Sequence, residues 1–328
     1  MLNHAVNHAA NHAEAGRGLA LGIDAGGTRT RWALARASGA IVAEGQVAGL
    51  SALQMSSAAG RHTVHASFSE LARAVLAQGR PVRVRAGLTG FGGDGEQLQR
   101  WLAELLGIAP RAVVLCNDIE IAYLANFTPG QGYLVYAGTG SIGAWIDDAG
   151  VFHRAGGRGV MLDDGGGGFW IAREALRHVW RNEDEEPGRW RSSPLARAVF
   201  AHVGGDDWSV SRQFIYGQER GEVGKLALAV AASAAEDPAA AAILRQAGAE
   251  LARLALALTA RFGPRPVVLA GRAASLHPSI FEAMRAAVPA AISLTQTVGD
   301  AHHAAARIAA RDADPGAGVS RHIAQTTA

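Results

Sequence analysis

Two glycine–threonine turns stand at the ends of short apolar runs about 110 residues apart. The first is Asp24-Ala-Gly-Gly-Thr-Arg-Thr30, after the run from Leu19. The second is Gly138-Thr-Gly-Ser141, after Gly132–Ala137. Glycines let backbone N–H groups approach an anion closely, and threonine hydroxyls add donors for phosphate oxygens. An acid just before such a turn, Asp24, suits Mg²⁺ held through water, because Mg²⁺ sheds its hydration shell reluctantly. Two such turns, one in each half, suit a polyphosphate gripped from opposite sides. A third acid, Asp118, follows Asn117 at the end of an apolar run and the start of a helical pattern. There a carboxylate can take a proton from a hydroxyl nucleophile during phosphoryl transfer. Each segment also has a plainer reading: a glycine hairpin, or an acid capping a helix. Neither turn is a GxxxxGK[ST] loop or a GxGxxG fingerprint.

Two further segments carry candidates. The Gly-rich stretch Ala155–Gly168 contains Asp163 and Asp164, which can accept hydrogen bonds from sugar hydroxyls. A flexible surface loop would look the same. The run Val267-Val-Leu-Ala-Gly-Arg-Ala273 ends a strand in small residues, leaving room for a flat ring, or is a routine strand–helix turn.

The elements that must position these residues follow from periodicity. Strands are expected at Leu19–Asp24, Arg31–Arg36 and Ala40–Glu44. A helix (about His62–Gln78), a strand (Val82–Leu88), a loop (Thr89–Gly95), a helix (Glu96–Leu106), a strand (Ala112–Leu115) and a helix (Asp118–Ala125) come next. The opening then repeats as strands Gly132–Ala137, Ile142–Ile146 and Val151–Arg154. A helix Phe169–Trp180 leads into a polar stretch, Arg181–Ser193, and long Ala-rich helices to Phe262. The strand Pro266–Ala270 then turns into another helix. Duplication at this scale predicts two similar α/β domains. The expected boundaries are a disordered extension (1–17), domains at 18–127 and 128–312, and a tail (313–328). In the extension, His4, His8 and His12 recur every four residues, as metal ligands or simply as part of a polar, poorly ordered segment.

The chain has 328 residues, 49% hydrophobic and 18% charged, which excludes general disorder. Its net charge of +2 leaves no nucleic-acid footprint. Cys116 is the single cysteine, so disulfide, zinc–thiolate and iron–sulfur frameworks within one chain are excluded. No apolar run is long enough for a bilayer and no secretory leader is visible, so a cytoplasmic protein without membrane partners is expected.

Several segments, in order, resemble the N-acetylglucosamine kinase and BadF/BcrA ATPase branch of the sugar-kinase/Hsp70/actin superfamily. They are GIDAGGTRTRWAL, GLTGFGG, CNDIEIAY, YAGTGSIGAWIDDAGVFHRAGGRG and DDGGGGFWIAREAL, with SPLARAVFAHVGG and ILRQAGAELARLA. The resemblance spans roughly residues 18–310. It implies two ribonuclease-H-like domains facing across a nucleotide-binding cleft, the actin-like ATPase fold. It implies an ATP-dependent kinase of the 6-hydroxyl of an amino sugar, N-acetylglucosamine or glucosamine, with Asp118 as general base. Gly26, Gly27, Thr28 and Thr30 would line the phosphates from one side, and Gly138, Thr139, Gly140 and Ser141 from the other. Asp24 would organise Mg²⁺ through water, and Gly271 would flank adenine. Ser51, Thr89, Gly90, Gly156, Gly157 and Asp164 would lie along the sugar, and a homodimer is implied. The chain departs from the family where GGWG and GDE become Gly156-Gly-Arg-Gly159 and Asp163-Asp164-Gly165. Those departures suit a non-catalytic sugar or nucleotide sensor. A BadF-type activator would need cluster cysteines that this chain lacks.

Overall fold

The computed structural model describes residues 18–93 and 95–311. The histidine repeat and the expected tail lie outside the described residues. Two compact units form: the described residues up to Ala125 together with those from Asp300, and Asn126–Gly299.

In the first unit β1 (Leu19–Ala25), β2 (Arg29–Ala35) and β3 (Ile41–Ala48) form an antiparallel meander. Asp24 sits opposite Arg31, and Ala25 opposite Thr30. A 3₁₀ turn (Ala52–Ser56) leads into α1 (Ala58–Leu76). β4 (Pro81–Leu88), α2 (Glu96–Leu106), β5 (Val113–Asn117) and α3 (Asp118–Leu124) follow. β4 and β5 add in parallel on the other side of β1, giving the order β3-β2-β1-β4-β5. Val64, Phe68, Leu71 and Val75 recur at helical spacing on α1 and are all buried in the core of this unit.

The second unit repeats that plan. β6 (Tyr133–Ala137), β7 (Ser141–Ile146) and β8 (Phe152–Gly156) are again antiparallel neighbours. α4 (Gly168–Glu185), α5 (Pro194–Val203), α6 (Trp208–Gly217), α7 (Arg220–Gly224), α8 (Leu226–Ser233) and α9 (Pro238–Phe262) intervene. Then β9 (Val267–Ala270), α10 (Pro278–Ala287) and β10 (Leu294–Thr297) complete a sheet of order β10-β9-β6-β7-β8. Strand for strand this is the order of the first sheet.

Three features differ from the sequence expectation. α4 runs to Glu185, through residues expected to be irregular, because Arg181, Glu183 and Glu185 are polar but good helix formers. β10 has one buried apolar residue, Leu294, so no apolar pattern announced it. The third is α11 (Ala301–Arg311), expected in the second domain but packed on β1, β2 and β4 of the first unit. No single helix among the described residues is long and apolar enough to cross a membrane.

Gly22 makes the α11 packing possible. A Cβ there would lie 2.1 Å from the Ala306 nitrogen and 2.2 Å from the His302 carbonyl oxygen. Gly22→Ala must push the helix backbone away, and is expected to lower the unfolding free energy by about 2–3 kcal/mol. Urea unfolding checks this, and an unchanged midpoint would contradict the packing.

Candidate functional site

In the first unit the candidate residues gather at the carboxyl ends of β1, β4 and β5. The Asn117 side chain accepts from the Ile119 N–H, and Glu120 reaches back to the Asn117 N–H at 3.2 Å, a reciprocal cap that starts α3. The Asn117-x-x-Glu120 spacing was a readable signal for it. The cap holds Asp118 where the Thr89 hydroxyl donates to its Oδ2 and the Ile119 N–H donates to its Oδ1 at 3.0 Å. Gly87 on β4 permits this approach, since a Cβ there would meet the Asp118 Cα at 3.1 Å.

Burial pushes the Asp118 carboxyl up to about 6. The Thr89 hydrogen bond pulls the other way, and the nearby Asp24 charge adds to the rise. At neutral pH the group is therefore mostly ionised but only mildly acidic, the state a general base needs.

The sugar candidates of this unit are bound to one another. The Ser51 hydroxyl donates to the Thr89 carbonyl at 3.1 Å, and the Thr89 N–H donates to the Ala25 carbonyl at 2.9 Å. Gly90 adopts φ +74° beside Leu53 and the Ser51 hydroxyl. Asp24 is engaged by a residue the sequence reading did not single out: Arg31 donates to its Oδ2 at 3.0 Å and to Asp300 at 3.1 Å. That leaves Asp24 its other oxygen, enough for the water-mediated hold on hydrated Mg²⁺ that Mg²⁺ sites favour.

In the β1–β2 turn, Gly26, Gly27 and Thr28 are accessible, but Thr30 is not. It is fully buried, and its hydroxyl has no partner. Strand alternation turns it into the core, which corrects its place among the phosphate-lining residues.

The second unit shows the same division. Thr139 is exposed at the tip of the β6–β7 turn, and the Gly138 N–H donates to the Gly140 carbonyl at 2.9 Å. Ser141 is buried and donates to the Gly165 carbonyl at 2.6 Å, so its hydroxyl ties the turn to the Gly-rich segment. Asp164 is likewise turned inward. It is buried at φ +54°, accepts from the Gly159 N–H at 3.0 Å, and fills the space a Gly140 side chain would need. Gly156 and Gly157 both have positive φ, with only partial exposure. Gly271, at φ +100°, brings the end of β9 against the Ala137 carbonyl, where a Cβ would be only 2.3 Å away.

Two residues of α9 also face the Gly-rich segment. Arg253 pairs with Asp163 at 2.8 Å and with Glu250 at 3.0 Å. The Glu250 carboxylate lies 2.8 Å from where a Cβ of residue 165 would be, so the glycine at that departure from the family pattern makes room for it. Arg158 is exposed. Cys116 is buried, and burial pushes its thiol up to about 12, so it is not a ready metal-binding thiolate.

Two five-stranded sheets of identical order, each with a glycine–threonine hairpin between its first two strands, define the actin-like ATPase fold. Structural comparison agrees. A Chromobacterium violaceum protein assigned as an N-acetylglucosamine kinase is 25% identical, with TM-score 0.64 over 89% of this chain and 99% of that one. One from Porphyromonas gingivalis with the same assignment is 16% identical, with TM-score 0.68 over 89% and 99%. A Streptomyces griseus ROK glucokinase bound to glucose and AMPPNP shares the fold at 19% identity, with TM-score 0.52 over 90% and 98%. The chain belongs to the BadF/BadG/BcrA/BcrD ATPase family, whose sequence profile matches residues 21–306. An N-acetyl-D-glucosamine kinase of Dictyostelium discoideum is 28% identical over 194 residues, covering 50% of this chain and 55% of that protein. The match therefore spans about half the length of this curated relative.

Two outcomes are expected from the geometry. Thr30→Val replaces an unpartnered buried hydroxyl with a methyl of the same shape, and thermal unfolding should show unchanged or raised stability, by up to about 1–2 kcal/mol. Asp118 carries a folded-state pKa above its unfolded value, so its burial costs stability above pH 6 and the cost vanishes below about pH 4. Asp118→Asn should then be the more stable protein at pH 7.5, by on the order of 1–3 kcal/mol. The difference should shrink steadily as the pH falls through 6 to 4.

Proposed function

We propose that this protein is an ATP-dependent sugar kinase that phosphorylates the 6-hydroxyl of an amino sugar, N-acetylglucosamine before glucosamine. The observation that carries the reading is the half-buried Asp118 carboxylate, held by Thr89 and by the α3 backbone at the carboxyl end of the first sheet. The similarity to N-acetylglucosamine kinases supports the choice of acceptor.

In this reading the acceptor hydroxyl gives its proton to Asp118 while its oxygen attacks the γ-phosphorus of ATP, and ADP leaves. Phosphoryl transfer demands mainly positioning and charge neutralisation, with one residue orienting the attacking oxygen. Thr89 fixes the carboxylate by occupying Oδ2, and Ser51 in turn holds the Thr89 backbone. Gly26, Gly27 and Thr28 of one hairpin, and Gly138, Thr139 and Gly140 of the other, supply N–H and hydroxyl donors to phosphate oxygens. Ser141 and Thr30 act from behind, as buried supports of those turns. Asp24, oriented by Arg31, would hold Mg²⁺ through water, and the ion would neutralise phosphate charge. Gly271 leaves a side-chain-free surface suited to the adenine ring.

A coupled ADP-release assay over a panel of N-acetylglucosamine, glucosamine and glucose tests this. N-acetylglucosamine should give the highest kcat/KM. Asp118→Asn should lower kcat by ~10³-fold. In the parent protein kcat/KM should fall below pH 6 as the carboxylate takes up a proton. Equal turnover by Asp118→Asn would remove the proposed base, and turnover of none of the three sugars would remove the acceptor class.

A further inference from the structure

The crossover that returns the chain to the first unit begins with Asp300-Ala-His-His303, and these two histidines converge on an acid of β3. His303 Nε2 lies 2.5 Å from Glu44 Oε2, and His302 Nε2 lies 3.5 Å from the same oxygen. One donor atom from each of the three residues falls within 4.8 Å of the others. Tetrahedral Zn²⁺, with bonds of 2.0–2.2 Å to nitrogen and oxygen, separates its ligand atoms by ~3.3 Å. The cluster is thus within a small side-chain adjustment of that spacing.

The fold produces this convergence. Glu44 pairs with Ala33 across β2 and β3, and Ala33 packs against Ala306 of α11, so Glu44 lies on the sheet face that the helix covers. The two imidazoles are tilted together with centroids 4.3 Å apart. They differ in access. His302 is 5% exposed and its Nδ1 has no partner, whereas Glu44 is open to solvent. The far nitrogen of His303 lies 3.8 Å from Asp300 Oδ2, the carboxylate-behind-histidine arrangement that orients metal-binding imidazoles. Asp300 uses its other oxygen on Arg31, which holds Asp24.

We propose that Glu44, His302 and His303 form a Zn²⁺ site with one solvent-facing coordination position, clasping the N-terminal turn of α11 to β3. Two imidazoles and a carboxylate are a zinc donor set. Mg²⁺, which prefers oxygen ligands and keeps its waters, is a poor match. The site is separate from the Mg²⁺ role given to Asp24, and does not depend on the kinase reading. Bound Zn²⁺ would stabilise the returning helix against the sheet, and with it the Asp300–Arg31–Asp24 chain of ion pairs.

The histidine repeat at His4, His8 and His12 supplies competing donors, so the test uses the full-length chain with those three changed to alanine. Metal-stripped protein of this background, dialysed against Zn²⁺, should retain one ion per chain by elemental analysis. Its Tm should rise by ~5 °C at Zn²⁺ about 100 times the Kd, with no such rise in Mg²⁺. Adding His303→Ala or Glu44→Gln, both partly or fully exposed positions, should weaken binding at least ~10-fold and abolish the Tm rise. Circular dichroism is the check that each variant folds. Failure of the background protein to bind Zn²⁺, or equal binding after either added change, overturns the site.

Discussion

A carboxylate taken out of water is the costly element around which the first unit is arranged. Asp118 is held at the end of β5 by a hydroxyl, a backbone N–H and the reciprocal cap of Asn117 and Glu120. Each hydrogen bond favours the charged form, and burial disfavours it; burial wins, and the pKa rises to about 6. The glycine at position 87 and the Ser51–Thr89 link exist in the same small region. The first leaves room for the Asp118 backbone beside β4, and the second holds the Thr89 backbone whose hydroxyl meets the carboxylate. Packing, capping and proton affinity are therefore one problem with one local solution.

The duplicated hairpins show how repetition of a strand plan repeats a division of labour. In both, the threonine at the tip faces outward while the hydroxyl two residues on is turned inside. The inward one is unpartnered in the first unit (Thr30) and bonded to the Gly165 carbonyl in the second (Ser141). The second unit thus ties its hairpin to a glycine-rich segment, and Asp164 reinforces the tie from a strained left-handed backbone.

The last described helix belongs structurally with β1, β2 and β4 of the first unit. α11 lies on β1 and β2 because Gly22, Ala33 and Ala35 leave a shallow surface and Ala306 fills it. The same crossing brings Asp300 to Arg31 and His303 to Glu44, residues about 260 positions apart in the chain.

Much of this was legible beforehand. The apolar runs marked nine of the ten strands and their repetition, because a strand buried on one or both faces must repeat its apolar residues. Glycine–threonine turns and Asp118 could be named as candidates because few residue types do that chemistry. The short β10 and the first-unit allegiance of α11 were not legible, since one carries almost no apolar signal and the other depends on a surface built from distant strands. Nor could the chain order show that Thr30, Ser141 and Asp164 turn inward, or that Arg31 and Glu250 stand beside the motifs. Local sequence determined which elements form and which side chains are chemically able. Whether a given hydroxyl or carboxylate meets solvent, a carbonyl or an arginine is set by neighbours on other elements, 24 residues away for Ser141 and Gly165 and 269 for Arg31 and Asp300. Only the folded backbone brings those neighbours within the few ångströms over which hydrogen bonds and burial act.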